Sequence, residues 1–147
     1  MIAIDKADLP GILASHASFL AGADPTCRAD LSRQELYGIN LAGMDLRQAI
    51  LCGTNLRRAL LHMTNLAGAE MRGANCKHAI LEKAILNHAD LRDACLIGCN
   101  LENTDLCGAD LRGANLLGAS LRGAAYDRET IWPEGFQPDR EGARSIS

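Results

Sequence analysis

The chain has 147 residues, a formal net charge of -3 and only 3% aromatic residues. This length suits one domain with a sizeable core, which leucine and alanine must fill because aromatics are so scarce. The mild net charge predicts no electrostatic capture of nucleic acid or of a membrane surface. No stretch approaches the roughly 20 apolar residues that span a bilayer.

The N-terminal segment MIAIDKADLPG has neither a basic start nor a long apolar run, so we expect no signal peptide. Six cysteines without such a signal are typical of free thiols in a reducing, cytoplasmic environment. Residues 8–21 predict a short helix, with Asp8 as N-cap and Pro10 in its first turn. Gly22 is suited to end that helix. We expect residues 1–28 to form an N-terminal cap.

A five-residue pattern then runs without insertion from residue 29 to residue 123. The segment 107–124, CGADLRGANLLGASLRGA, shows it most clearly: a small residue, a polar residue, a leucine, a variable residue and a glycine. There are 19 consecutive units, and the central residue is leucine in all of them except the units centred on Met71 and Cys76.

A period of five fits neither common regular structure. On an α-helix, successive central residues would lie about 140° apart and spiral around every side. On a straight strand, an odd period would send successive leucines to opposite faces. The pattern fits short extended segments joined by corners, with the small residue and the leucine inward and glycine at the corner. Stacked coils of this kind form a β-solenoid, but the period does not fix the number of sides in a coil.

The units ADLRG, ANLLG and ASLRG resemble those of the pentapeptide repeat family, which read A-(D/N)-L-X-X. The resemblance implies an all-β fold, a right-handed four-sided parallel β-helix with four units per coil. Residues 20 apart would then stack, and 19 units would form nearly five coils, a rod about 25 Å long. We expect this solenoid to occupy residues 29–124.

The C-terminal segment, residues 125–147, is expected to cap the last coil and to end in a disordered tail. Residues 126–136, YDRETIWPEGF, contain the single tryptophan of the chain together with a tyrosine and a phenylalanine. Aromatics at the exit of a barrel that otherwise lacks them indicate a lid over the last coil. The alternative is an exposed hook around Trp132 that binds a partner. The residues after 136 lack an apolar pattern, which predicts disorder.

No constellation of residues indicates catalysis, a metal or a cofactor. Metal sites need converging ligands, whereas His62, His78 and His88 fall on different sides or corners of the predicted coil. Cys95 is expected to point outward and Cys99 inward. The chain has no G-x-S-x-G and no phosphate-binding glycine loop. We therefore expect no enzyme activity, no cofactor and no small-molecule substrate.

The outward positions of the solenoid carry ten acids and ten bases. If coils are 20 residues long, a column of arginines lies beside a column of acids: Arg72, Arg92 and Arg112 beside Glu70, Asp90 and Asp110. We interpret this column as mutual neutralisation on a solvated face, in which exposed pairs contribute about 0–1 kcal/mol each.

Apolar residues stand at several outward positions that are polar elsewhere. Six of them form the candidate partner surface: Ile50, Leu60, Ile80, Ile85, Ile97 and Leu117. With coils of 20 residues, Leu60 and Ile80 would stack on one side, and Cys95, Ile97 and Leu117 would group on another. One interpretation is a site for a protein partner. The other is tolerated surface aliphatics or contact with a second copy, and a homodimer through the solenoid ends or an apolar face stays open.

These features favour a non-catalytic, rigid module for protein interaction or scaffolding, with an unidentified protein partner. The alternative comes from the family resemblance, since some pentapeptide repeat proteins mimic DNA and bind DNA gyrase. Such mimicry needs a strongly negative surface, and the balance of ten acids and ten bases speaks against it. An enzyme is the third class, and the lack of a predicted cleft and of catalytic motifs speaks against it.

Overall fold

The computed structural model describes residues 8–147. Residues 1–7, which open the predicted cap and hold most of the segment used to exclude a signal peptide, lie outside the described residues. In chain order the elements are helix α1 (Leu9–Leu20), a 3₁₀ helix (Pro25–Cys27), strand β1 (Ala125–Tyr126), a 3₁₀ helix (Pro138–Glu141) and strand β2 (Arg144–Ser145).

Between the two ends, the chain forms coils of 20 residues. Parallel bridges join residues 20 apart, beginning with Asp30 and Ile50 and continuing to Asp105 and Ala125. The same ladder recurs in every coil: the Leu91 amide donates to the Asp110 carbonyl at 2.8 Å, and the Asp110 amide donates to the Ala89 carbonyl at 3.0 Å. The predicted stacking of residues 20 apart is therefore confirmed, and each coil holds four five-residue units.

The interior is a stack of leucines and small residues. All 19 central residues are buried, and Leu91 in the middle of the rod is fully buried. Two positions earlier, most inward residues are buried alanines such as Ala89. Where a threonine replaces that alanine, its hydroxyl is satisfied internally, since Thr54 Oγ1 donates to the Leu31 carbonyl at 2.7 Å. The inward register predicted from the period is confirmed.

The corners require a left-handed backbone in every unit. The amide of Ala49 donates to the Leu46 carbonyl at 3.0 Å across one corner, and the residue before Ala49 has a positive φ, as in a type II turn. Glycine fills ten of the 19 corners, and nine hold other residues, including Arg58 at φ 56° and His88 at φ 57°. These nine accept a conformation that costs a non-glycine residue about 1–2 kcal/mol.

Four faces result from this path, and each presents a column of residues 20 apart. We call them the first, second, third and fourth faces, after the units centred on Leu31, Leu36, Leu41 and Leu46, respectively, and on the residues stacked above them. The residue before each central residue and the residue after it point outward. Side chains that are far apart in sequence are thereby placed in columns along the rod.

Candidate interaction surfaces

The N-terminal end is closed by α1. Asp8 occupies the N-cap position, but its backbone is helical (φ -84°, ψ -16°) and its side chain makes no capping hydrogen bond, so its predicted capping role is wrong. A helical N-cap points the carboxylate away from the first free amides of the helix. Gly22 has φ 74° directly after the helix, which confirms it as the stop. Leu9 is buried, and Ile12 and Leu13 pack against the core.

His16 is the residue of α1 that sequence reasoning missed. Its side chain is fully buried, and its Nδ1 accepts a hydrogen bond from the Ala29 amide at 3.1 Å. In later coils the amide at this position donates to a carbonyl three residues earlier, as in the bond from Ala49 to Leu46. His16 therefore replaces a turn carbonyl at the start of the solenoid. Its ring also stacks on Phe19, with centroids 5.5 Å apart.

The C-terminal aromatics form a lid, as predicted. Tyr126 and Trp132 meet edge to face with centroids 5.5 Å apart, and Trp132 stacks on Phe136 at 5.2 Å. All three are partly buried and pack against the core. Trp132 is therefore part of the lid over the last coil and is not an exposed hook.

The predicted disordered tail is wrong. Strand β2 pairs in parallel with β1, placing Arg144 beside Ala125 and Ser145 beside Tyr126. The Tyr126 hydroxyl donates to Asp139 at 2.7 Å, and the Arg144 amide donates to the Ala124 carbonyl at 2.7 Å. The polar composition of this segment does not indicate a strand, because backbone pairing at an open coil edge needs few apolar residues.

The charged column on the first face is largely neutralised, with one change of partner. Asp90 forms an ion pair with Arg92 at 2.6 Å, and Asp110 forms one with Arg112 at 2.5 Å. The hydrogen bonds from these arginines lower the pKa of both carboxyls. The predicted pair of Arg72 and Glu70 is not formed. Arg72 instead binds Asp93 at 3.2 Å, and Glu70 binds Arg28, from the segment after α1, at 2.6 Å.

The six residues of the candidate partner surface do not come together. They lie on all four faces: Ile50 on the first, Ile97 and Leu117 on the second, Leu60 and Ile80 on the third, and Ile85 on the fourth. Ile80, Ile85 and Leu117 are exposed, whereas Ile50, Leu60 and Ile97 are half-buried. The expected stacking of Leu60 on Ile80 and the expected grouping of Ile97 with Leu117 are both formed, on different faces.

A smaller group does lie together in the middle of the rod. Leu60 is bridged to Ile80 on the third face, and Ile85 follows on the fourth face of the same coil. Met63 stands at the corner between these faces one coil earlier and is 63% exposed. We call Leu60, Met63, Ile80 and Ile85 the middle patch. Sequence reasoning missed Met63, although a large apolar residue at a corner that usually holds glycine is a readable signal.

Within residues 8–147, no group of three or more histidines, cysteines and acids is placed to hold a metal ion. All six cysteines are unpaired; Cys76 and Cys99 are buried, and Cys95 is half-buried. Burial raises the pKa of the Cys99 thiol to about 12. None of the helices in residues 8–147 has the length and apolar character needed to cross a bilayer.

Comparison with solved structures finds several similar proteins. HetL from the cyanobacterium Nostoc sp. strain PCC 7120, a pentapeptide repeat protein involved in heterocyst differentiation regulation, is 32% identical over 76% of this chain, with a TM-score of 0.56. This chain spans about half of HetL, 51% of its length. The pentapeptide repeat protein Rfr23 from the cyanobacterium Cyanothece 51142 is 38% identical, covering 70% of this chain and 63% of Rfr23, with a TM-score of 0.41.

A second Nostoc PCC 7120 protein, alr5209, is 31% identical over 90% of this chain and 93% of its own, with a TM-score of 0.40. Among curated proteins, no match is found. The family model for pentapeptide repeats matches residues 28–62, 59–96 and 89–124, in eight copies. Its members fold as right-handed quadrilateral β-helices. The sequence period, the 20-residue coils and this match together place the chain in the pentapeptide repeat family.

Proposed function

We propose that this protein is a non-catalytic interaction module that binds a protein partner through the middle patch. The observation that carries the proposal is the exposure of apolar side chains where neighbouring coils hold polar ones. Ile80 is bridged to Asn100, and Ile85 is bridged to Asp105, so each isoleucine stands in a column with a polar residue. Apolar side chains grouped on an otherwise polar rod are typical of protein contact sites.

The stiffness of the rod supports a scaffolding role. Each unit is tied to the next coil by backbone hydrogen bonds and to the interior by a buried central residue. A partner bound at one coil would therefore be held at a fixed distance and angle from anything bound at another. HetL is involved in heterocyst differentiation regulation. By analogy with HetL, we propose a regulatory role for this chain.

The DNA-mimic alternative gains no support from the surface. Binding to DNA gyrase by mimicry needs a strongly negative face. On the first face, Arg28, Arg92 and Arg112 neutralise three acids: Glu70, Asp90 and Asp110. We also propose that the coils are right-handed and that residues 1–28, 29–124 and 125–147 are the cap, the solenoid and the C-terminal cap. The six unpaired cysteines support a cytoplasmic location.

The test compares wild type with a Leu60→Lys/Ile80→Lys variant as bait in a lysate of the source organism. The matched control is Tyr37→Lys, since Tyr37 is 48% exposed and lies on the second face, away from the middle patch. Proteins retained by wild type and the control, but lost from the double variant, would then be purified and titrated directly. Equal retention by all three baits, with all three folded, would contradict the middle patch as the contact.

A further inference from the structure

At the C-terminal end, the last coil has no strand beside its second side, and within residues 8–147 the Leu121 amide of its third side is unpaired as well. Pairing on the first face continues to Ile131, whose carbonyl accepts the Leu111 amide at 2.7 Å. Pro133 follows, and the chain turns away from the second face. It pairs again only on the third face, where the Gly123 amide donates to the Gly142 carbonyl at 2.9 Å. Between these two points, the edge at Ala114–Gly118 has no strand beside it.

The uncovered edge exposes three backbone groups whose equivalents are paired one coil earlier. There, the Leu96 amide donates to the Asn115 carbonyl at 2.8 Å, and the Gly98 amide donates to the Leu117 carbonyl at 2.9 Å. The Ala94 carbonyl accepts from the Asn115 amide at 2.9 Å. Within residues 8–147, the corresponding Leu116 amide, Gly118 amide and Ala114 carbonyl have no hydrogen-bond partner. Such an edge is a template for one more parallel strand.

A groove lies along this edge. It has a volume of about 480 Å³, with Ala114–Gly118 on one side and Pro133–Phe136 on the other. Leu117 is 73% exposed in it, the most exposed large apolar side chain among the described residues. This volume is within the range of about 300–1,000 Å³ that is usual for binding clefts.

The charged residues that line the groove indicate which kind of peptide segment it favours. Glu134 and Glu141 are the charged residues of its lining, and neither forms an ion pair within residues 8–147. Two unpaired carboxylates beside an apolar floor favour a segment that combines an apolar side chain with a basic one. An acidic or purely apolar segment would leave these carboxylates without partners.

We propose that this groove binds an extended basic-apolar peptide segment of a partner protein, which adds as a parallel strand to Ala114–Gly118. In the bound register, the segment places a leucine over Leu116 and an arginine or lysine next in sequence, within reach of the two glutamates. Its carbonyls accept from the Leu116 and Gly118 amides, and one of its amides donates to the Ala114 carbonyl. This inference rests on the proposed function as an interaction module, but it uses a site separate from the middle patch.

The probe is a fluorescein-labelled peptide GADLRGANL, a copy of residues 108–116, measured by fluorescence polarisation with the full chain. Two modified peptides separate strand addition from other binding. N-methylation of the aspartate removes the amide that donates to Ala114, and we expect about tenfold weaker binding. N-methylation of the following leucine changes an amide that points away from the protein, so binding should be unchanged.

The protein variants test the charge preference. Glu134→Lys/Glu141→Lys should weaken binding of the arginine peptide at least tenfold and improve binding of a peptide with glutamate in place of arginine. Glu129→Lys is the charge-matched control and should bind like wild type, since Glu129 is exposed and does not line the groove. Loss of binding in Leu60→Lys/Ile80→Lys as well would indicate that the groove is not separate from the middle patch, and would overturn the proposal.

Three further results would also overturn it. One is the absence of binding at any accessible protein concentration. Another is equal weakening by both N-methylated peptides, which would exclude backbone pairing in this register. The last is a dimer, seen by sedimentation, whose formation blocks the peptide, because the occupant would then be a second copy of this chain.

Discussion

The N-terminal cap should depend on a single imidazole, that of His16. Its Nδ1 accepts the Ala29 amide while the ring is fully buried, so Nε2 must carry the proton of the neutral form. Replacing His16 with leucine keeps an apolar side chain but removes the acceptor. The buried Ala29 amide is then left unsatisfied, which costs about 1–3 kcal/mol.

Asparagine separates the hydrogen bond from the packing of the ring. In His16→Asn, the side-chain oxygen can take the place of Nδ1, while the ring that stacks on Phe19 is lost. We expect this variant to keep protection of the Ala29 amide from hydrogen exchange. The leucine variant should lose that protection, even though it fills more of the site. The measurement is hydrogen exchange of the Ala29 amide together with urea unfolding of each variant.

The same contact predicts a pH dependence. Burial lowers the pKa of His16 below its ordinary value of 6.5, while the Arg47 backbone and the Asp45 carboxylate act in the opposite direction and the charges of Arg28 and Arg47 add to the lowering. The unfolded chain therefore binds a proton that the folded chain excludes. Neutral His16 contributes its full share of the stability above pH 6.5. This share is lost as the pH falls toward the pKa of His16 in the folded state, by at most about 1.4 kcal/mol per pH unit.

Asp24 of the cap titrates in a different range. Asp24 has its pKa lowered from 3.8 to about 2, chiefly by the Thr26 hydroxyl, so its contribution is present above pH 3.8 and is lost below that value. The difference in unfolding free energy between wild type and His16→Leu, measured from pH 7.5 to 4.5, therefore reports the histidine. His16→Leu should flatten the curve in this interval. An unchanged slope in that variant, or full protection of the Ala29 amide in it, would refute the assigned role of His16.

Three further predictions concern the solenoid itself. Leu91→Asp places an unpaired charge in the fully buried leucine stack, so the cooperative thermal melt should be lost; a retained melt would contradict the inward register. Arg58→Gly relieves a left-handed corner at φ 56° and should raise the free energy of unfolding by up to about 1 kcal/mol, with a decrease as the contrary outcome in urea titration. Gly108→Ala should destabilise more than Gly43→Ala, since both have φ 67°, but the His88 ring occupies the space of the new Cβ at 108 and nothing lies within 4 Å at 43; equal melting temperatures would show that the ring moves aside freely.

The sequence period predicted the solenoid because every unit has the same alternation of inward and outward side chains. The buried state of Leu91 follows from that alternation alone. The 20-residue coil, by contrast, came from the family resemblance, because a period of five is compatible with any number of sides. The corners show a similar limit: glycine marks the required conformation, but Arg58 adopts it as well, since the ladder on both sides holds the backbone in place.

The ends and the surfaces were harder to predict, for separate physical reasons. His16 accepts an amide that is 13 residues away, and no local pattern encodes that contact. Strand β2 is stabilised by backbone pairing, which composition does not report. Ile50 and Leu117 looked equivalent as outward apolar residues, but their faces depend on the coil length. The groove beside Leu117 arises from what the chain leaves uncovered after Pro133, and a repeat pattern that stops at residue 123 cannot show it.

The 20-residue coil makes the relative placement of the middle patch and the terminal groove adjustable in discrete steps. Deleting one complete coil between them would bring them closer by about 4.8 Å and leave their angle about the long axis unchanged. Deleting a single five-residue unit would instead turn one relative to the other by a quarter of a revolution. Two proteins bound to one rod could thus be set side by side or on opposite sides by changes in chain length alone.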